Sequence, residues 1–177
     1  MFSHTIGRGS TEPTIWFSID TDGVVSINIA KAEMGQHIGT ALARILADEL
    51  EADWSLVRLV SVDTDAKWGP MITGGSTSVW STYPDFSQAG AAGRITLVEE
   101  GAKLLGVDPR DCVARQGRVV AGDGSIEYGE IVSRGDLSRR FSADELKALK
   151  IKSPDKRTLI GKPTRALDIP PKTKGEA

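Results

Sequence analysis

Between residues 15 and 62 the hydrophobic period changes twice, from 2 to about 3.6 and back, which neither an all-helical nor an all-strand fold can satisfy. Ile15-Trp16-Phe17-Ser18-Ile19 and Val25-Ser26-Ile27-Asn28-Ile29 alternate and are rich in β-formers, so both are predicted strands. Asp20-Thr21-Asp22-Gly23 between them is a turn, with glycine where a positive φ is cheap. From Gly39 to Ala52, Leu42, Ile45, Leu46 and Leu50 share one helical face, while Arg44, Asp48 and Glu51 lie elsewhere. Thr40 or Gly39 is the expected N-cap. Leu56 to Val62 returns to strand alternation. The order predicts an α+β fold: a mixed sheet with a β-hairpin, two main helices packed on it, and an extended C-terminal strap.

The second main helix is predicted from about Asp85 to Leu105, with Pro84 at its start. Ala91, Ile95, Val98, Ala102 and Leu105 form its expected buried stripe, and Ala89 to Gly93 permits close helix packing. Gly106 is its stop, with Pro109 beyond. Asp111 to Ala114 and Arg118 to Val120 read as a small hairpin turning at Gly117, and Ser125 to Val132 as a short helix. Ser142 precedes Glu145 by three residues, so a capping box opens a further helix ending near Lys150. Residues 153–177 hold Pro154, Pro163, Pro170 and Pro171 without a period and read as the strap. Residues 1–13 read as disordered or tag-like, leaving 14–152 as the folded unit.

Composition removes several function classes. With 22 basic against 24 acidic residues there is no basic field for nucleic acid. Cys112 is the single cysteine, which rules out an iron–sulfur cluster held by this chain, and two histidines make a histidine-rich metal site unexpected. No apolar run approaches the ~20 residues of a membrane span. The chain reads as soluble, cytoplasmic as given, or periplasmic after removal of a leader.

Two segments have the composition of ligand loops. Glu33-Met34-Gly35-Gln36-His37-Ile38-Gly39-Thr40 joins a strand to a helix N-terminus, where unpaired N–H groups favour an anion or a polar heterocycle edge. Gly35 allows close backbone approach, and Gln36 carries both a donor and an acceptor. Thr73-Gly74-Gly75-Ser76-Thr77-Ser78 offers backbone N–H and hydroxyl groups to a phosphate or a pterin, and it lacks the spacing and the lysine of a Walker loop. Each segment on its own is equally a tight turn or a surface loop. Together they are expected to face one crevice at the strand ends. Neither holds a nucleophile–base pair or paired carboxylates. Glu33 is either a solvated strand-end carboxylate or the group that fixes the turn. Trp54, Trp68 and Trp80 line a pocket or pack in the core, and Cys112 reads as a packed thiol.

At these loops the chain resembles a known family. Glu33-Met34-Gly35-Gln36 leading into Thr40 is similar to the E-M-G-Q-G-x-H-T stretch of the molybdenum subunits of xanthine dehydrogenase and aldehyde oxidase. Asp63-Thr64-Asp65, Thr73 to Ser78 and Ala89-Gly90-Ala91-Ala92 follow in the same order, with a layout that resembles the isoquinoline 1-oxidoreductase β-subunit type. Leu159 to Pro163, then Asp168 and Lys172, look like the family's strap before its next domain. The types at His37 and Gly39 are exchanged relative to the family pattern, so His37 is a further candidate for pointing its ring at the ligand.

The resemblance implies a fragment of a hydroxylase that oxidises an N-heterocycle or an aldehyde, with a small-molecule substrate in the assembled enzyme. It implies molybdopterin cytosine dinucleotide with molybdenum, and two [2Fe–2S] clusters carried only by an iron–sulfur partner subunit. It places Gly35, Gln36 and His37 at the pterin, and Gly74, Gly75, Ser76, Thr77 and Ser78 at pterin or phosphate groups. The catalytic base would lie in the remainder of the molybdenum subunit, and the isolated chain would be inactive. The rival expectation is a stand-alone structural or binding module that reuses the fold without molybdenum.

Overall fold

The computed structural model describes residues 15–176, so the reading of residues 1–13 lies outside the described residues. Strands β1 (Phe17–Ile19) and β2 (Val25–Ile29) pair antiparallel, with Phe17 opposite Ile27. The turn between them is closed by Asp20, whose Oδ1 accepts the N–H groups of Asp22 and Val24, and Gly23 takes φ 78°. Helix α1 (Ile38–Leu50) then carries the chain to β3 (Val57–Ser61), which pairs parallel to β2 with Val25 opposite Val57. The sheet is therefore mixed, in the order β1-β2-β3.

Helix α2 spans Ser78–Leu105, starting seven residues before the expected position. Pro84 lies inside it and does not open it. Proline removes one N–H from the ladder, and a helix of 28 residues survives that loss. The buried face keeps Ala91 and Ala102 of the predicted stripe and otherwise differs from it. Phe86, Ala89, Gly90, Gly93, Leu97 and Gly101 are buried, while Ile95, Val98 and Leu105 sit at the margin. Glycine decides this face. A Cβ at Gly90 would lie 2.5 Å from the Leu46 carbonyl oxygen, and one at Gly93 would lie 2.6 Å from the Phe17 ring. The close packing expected from Ala89 to Gly93 is thus the α1–α2 contact itself.

A second, antiparallel sheet holds β4 (Val113–Arg115), β5 (Arg118–Ala121) and β6 (Gly124–Glu127). Gln116 and Gly117 both have positive φ at the first turn, as a two-residue hairpin loop requires. The predicted helix over 125–132 is split. Residues up to Glu127 form β6, and α3 occupies Tyr128–Arg134. Tyr128 fastens this sheet to the first layer, because its buried hydroxyl donates to the Leu50 carbonyl at 2.7 Å. Helix α4 (Ala143–Ala148) has the capping box anticipated from Ser142 and Glu145.

The strap is not simply extended. A 3₁₀ turn forms at Pro154–Lys156, and α5 occupies Ile169–Lys174. Pro170 and Pro171 fall in the first turn of α5, where no N–H is needed, so prolines that argue against a helix instead open one.

The strap runs back along α1. Arg44 donates to the Leu159 and Lys162 carbonyls, and Thr40 Oγ1 accepts the Leu167 N–H at 2.9 Å. The side chain of Asp48, 1% exposed, accepts the N–H groups of Thr158, Leu159 and Ile160 and the Lys152 ammonium. Burial by itself would raise the Asp48 pKa. Those N–H groups and Lys152 outweigh it and hold the carboxyl below its ordinary range. The face of α1 that carries Thr40, Arg44 and Asp48 is therefore a covered polar rail.

Candidate cofactor-binding site

The first loop folds on its own side chains. Glu33 Oε1 accepts the Gly35 N–H at 2.8 Å and the His37 N–H at 3.0 Å. Gln36 bridges the turn, its Oε1 accepting from Met34 N at 2.6 Å and its Nε2 donating to the Ala32 carbonyl at 2.9 Å. Of the two readings for Glu33, the turn-fixing one describes it. Burial alone would raise its pKa, but the His37 and Gly35 N–H groups outweigh that effect and pull it down. Gly35 takes φ 97° and is exposed, with no atom within 4 Å of a Cβ built on it, so its face is open to a ligand.

The N-cap of α1 is His37, not Thr40 or Gly39, and it is left-handed at φ 59°, ψ 35°. Gly39 is buried, and a Cβ there would meet Leu59 Cδ1 at 3.0 Å. Thr40 is engaged by the strap. The His37 ring turns to the strap, with Nδ1 at 2.9 and 3.0 Å from the two carboxylate oxygens of Asp168. Lys172 Nζ lies 2.6 Å from Asp168 and 3.9 Å from Glu33. Glu33, His37 and Asp168 could together ligate a metal ion, but Lys172 already supplies a positive charge at both carboxylates.

The second loop does not follow its strand directly. A 3₁₀ turn at Ala66–Trp68 and an irregular stretch separate β3 from Thr73. Gly74, Gly75 and Ser76 are exposed, and Gly75 and Ser76 take φ 61° and 58°. Thr77 is the N-cap of α2 without a side-chain bond to the helix, its hydroxyl donating instead to the Gly74 carbonyl at 3.0 Å. Ser78 is buried as the first residue of α2, set apart from the exposed members of the loop.

The structure brings the two loops together at their bases. Lys31 Nζ donates to the carbonyls of Pro70 and Ile72 at 2.8 and 3.2 Å, and Ala32 N donates to Thr73 Oγ1 at 2.9 Å. These ties cross about 40 residues of chain, and no local sequence signal marks Lys31 for the task. Beneath the second loop lies a cavity of about 350 Å³, lined by Trp16, Trp68, Trp80 and Phe86 among others. Trp80 is 69% exposed, whereas Trp54 packs against the core. Cys112 is buried, and burial pushes its thiol pKa up, as suits a packed thiol.

Both α1 and α2 begin with no acidic residue in the first turn and no side-chain cap bond. At α1 the Glu33 carboxylate accepts the His37 N–H, and Ile38, Gly39 and Thr40 are buried, whereas α2 opens on the exposed loop at Gly74 to Ser76. The exposed faces of Gly35, Gly74 and Gly75 leave the backbone open to close approach.

The described residues thus form a layered α+β unit whose two glycine loops are joined at their bases. The chain belongs to the molybdopterin cofactor-binding domain family, whose model matches residues 1–166, within the molybdopterin-binding subunits of the xanthine dehydrogenase and aldehyde oxidase family.

Over 172 residues it is 56% identical to the membrane-bound aldehyde dehydrogenase [pyrroloquinoline-quinone] of Gluconacetobacter polyoxogenes, covering 97% of this chain and 22% of that protein. It is 29% identical to the β-subunit of isoquinoline 1-oxidoreductase from Brevundimonas diminuta, covering 95% of this chain and 26% of the relative. A nicotinate dehydrogenase polypeptide of Pseudomonas putida is 28% identical over 93% of this chain and 14% of its own length. The fold is similar to that of quinoline 2-oxidoreductase from Pseudomonas putida 86, with a TM-score of 0.51 and 23% identity over 66% of this chain and 15% of that one. The chain thus spans about a quarter or less of the curated relatives it matches. Among the described residues no helix is long and apolar enough to cross a membrane.

Proposed function

We propose that this chain supplies part of the cofactor cradle of a molybdenum hydroxylase or dehydrogenase that oxidises N-heterocycles or aldehydes. It contributes binding loops and leaves the catalytic base to the rest of the protein. The observation that carries the reading is the joining of the two glycine loops through Lys31 and Ala32, with Gly35, Gly74 and Gly75 left exposed. Gly35 and Gly74 to Thr77 would approach a molybdopterin cytosine dinucleotide, with Gln36 and Glu33 holding the first loop in shape. The bound group would supply the two-electron oxidation of substrate with oxygen derived from water. Electrons would leave through two [2Fe–2S] clusters in an iron–sulfur partner, since Cys112 cannot hold a cluster alone. The strap would lead to the following domain.

The test is metal and nucleotide analysis of the assembled protein purified with its partner. The reading expects molybdenum and a releasable cytosine nucleotide in near-equal amounts, both reduced when the loops are altered. Absence of molybdenum from active, assembled protein would overturn it.

A second reading is a quinone in the same cradle, favoured by the 56% identity to an aldehyde dehydrogenase named for pyrroloquinoline quinone. It expects a redox-active quinone in place of molybdenum in the same preparation.

A further inference from the structure

We infer that His37 is a positioning residue of the cradle, holding the 33–37 turn in place by clasping the strap through Asp168. This rests on the reading of that turn as a cofactor contact. His37 occupies a left-handed position that glycine or asparagine takes at lower strain, so the ring is kept against a conformational cost. The imidazole spends Nδ1 on the strap, reaching both oxygens of Asp168 across 131 residues of sequence.

The contact is one link in a closed ring. Asp168 accepts the Lys172 ammonium at 2.6 Å, Lys172 lies 3.9 Å from Glu33, and Glu33 accepts the backbone N–H of His37 at 3.0 Å. The ring joins the side chain of His37 to its own backbone by way of the strap. Moving the strap therefore moves the two N–H groups that shape the turn. The bonds of Gln36 stay inside the turn, so among the described residues the polar ties from turn to strap run through His37 and Glu33. Thr40 anchors Leu167 next to the clasp, its Oγ1 accepting the Leu167 N–H at 2.9 Å.

Amide hydrogen exchange of the 177-residue chain without cofactor tests this directly. His37→Gly keeps the left-handed backbone and removes the ring. Asp168→Asn removes the carboxylate. His37→Asn keeps both the backbone preference and a side-chain donor. The clasp expects His37→Gly and Asp168→Asn each to speed exchange of segments 32–39 and 166–174 together, by about threefold to tenfold. His37→Asn should restore most of the protection, and the double variant should be no faster than either single one.

Strap exchange that rises while 32–39 stays unchanged would overturn the positioning role and leave only a packing contact. If His37→Gly fails to fold, Asp168→Asn compared with His37→Asn decides the same question. Because no cofactor is present, this result is independent of the molybdenum analysis, and either reading can fail without the other.

Discussion

The buried carboxylate of Asp48 accepts the backbone N–H of Ile160 at 2.8 Å, tying the last turn of α1 to a strap residue 112 positions later. The two preceding residues complete the set, since the N–H groups of Thr158 and Leu159 reach the same carboxylate. One side chain thus performs for the strap what a strand edge does in a sheet, gathering consecutive N–H groups that would otherwise be left without acceptors.

Asp48 and Glu49 are adjacent, both 1% exposed, and should respond in opposite ways. Asp48→Asn leaves the N–H groups of Thr158, Leu159 and Ile160 short of a charged acceptor, while Lys152 keeps Glu51, and is expected to cost about 1.5–3 kcal/mol near neutral pH. Burial raises the Glu49 pKa, so its ionised form is a burden on the fold at neutral pH. Glu49→Gln should be close to neutral or stabilising. Urea unfolding at pH 7 checks both, and equal losses would contradict the contrast.

Acid should loosen the strap before the core. The folded pKa values of Asp48, Glu33 and Asp168 are all lowered, so their contribution is present above the unfolded carboxylate range. It is lost as pH falls through the folded values, below about pH 4. Glu49, raised, runs the other way and recovers stability as it protonates. Limited proteolysis between about pH 3 and 6 should show cleavage within 153–176 preceding loss of helical circular dichroism.

Gly90→Ala tests the helix contact. Its Cβ would lie 2.5 Å from the Leu46 carbonyl oxygen and 2.8 Å from Glu49 Cβ, and backbone cannot retreat as a side chain can. The gain in helix propensity is under ~1 kcal/mol, against an overpacking cost of about 1–3 kcal/mol or more. Thermal unfolding should show a net loss, and a raised midpoint would refute the close approach.

Gln36→Ala removes both bridges across the first loop, to Met34 N and to the Ala32 carbonyl. The turn is exposed, so global stability should change by under ~1 kcal/mol. Under the proposed function, the molybdenum content of the assembled protein should fall severalfold. Unchanged occupancy would mean that the loop holds its shape without Gln36 or takes no part in binding.

The hairpin, α1 and β3 are legible in the sequence because each is long enough for its period to declare itself. The start of α2 is not, because Pro84 carries the same local signal at a helix start as in a helix that tolerates it. Ser125 to Glu127 looks helical beside Tyr128 and Ile131, yet β5 is available to pair with it, and that partner decides the matter. Both loops are marked by glycine and helix-start chemistry. Their ties are not, since Lys31 meets Pro70, and His37 meets Asp168, only once the chain has folded. The role of Asp48 is not legible either, because hydropathy does not distinguish a carboxylate facing water from one facing backbone N–H groups.

Eleven of the thirteen residues of α1 are buried, and Ala41 and Arg44 are the partly exposed remainder. A helix gripped from both sides has no margin for drift. Substitutions at Thr40, Arg44 or Asp48, which a hydropathy plot would class as harmless surface changes, should be tolerated as poorly as changes at Leu42 or Leu46. Mutational tolerance along α1 should therefore lack the usual helical rhythm, with Glu49 the one buried position expected to accept its amide.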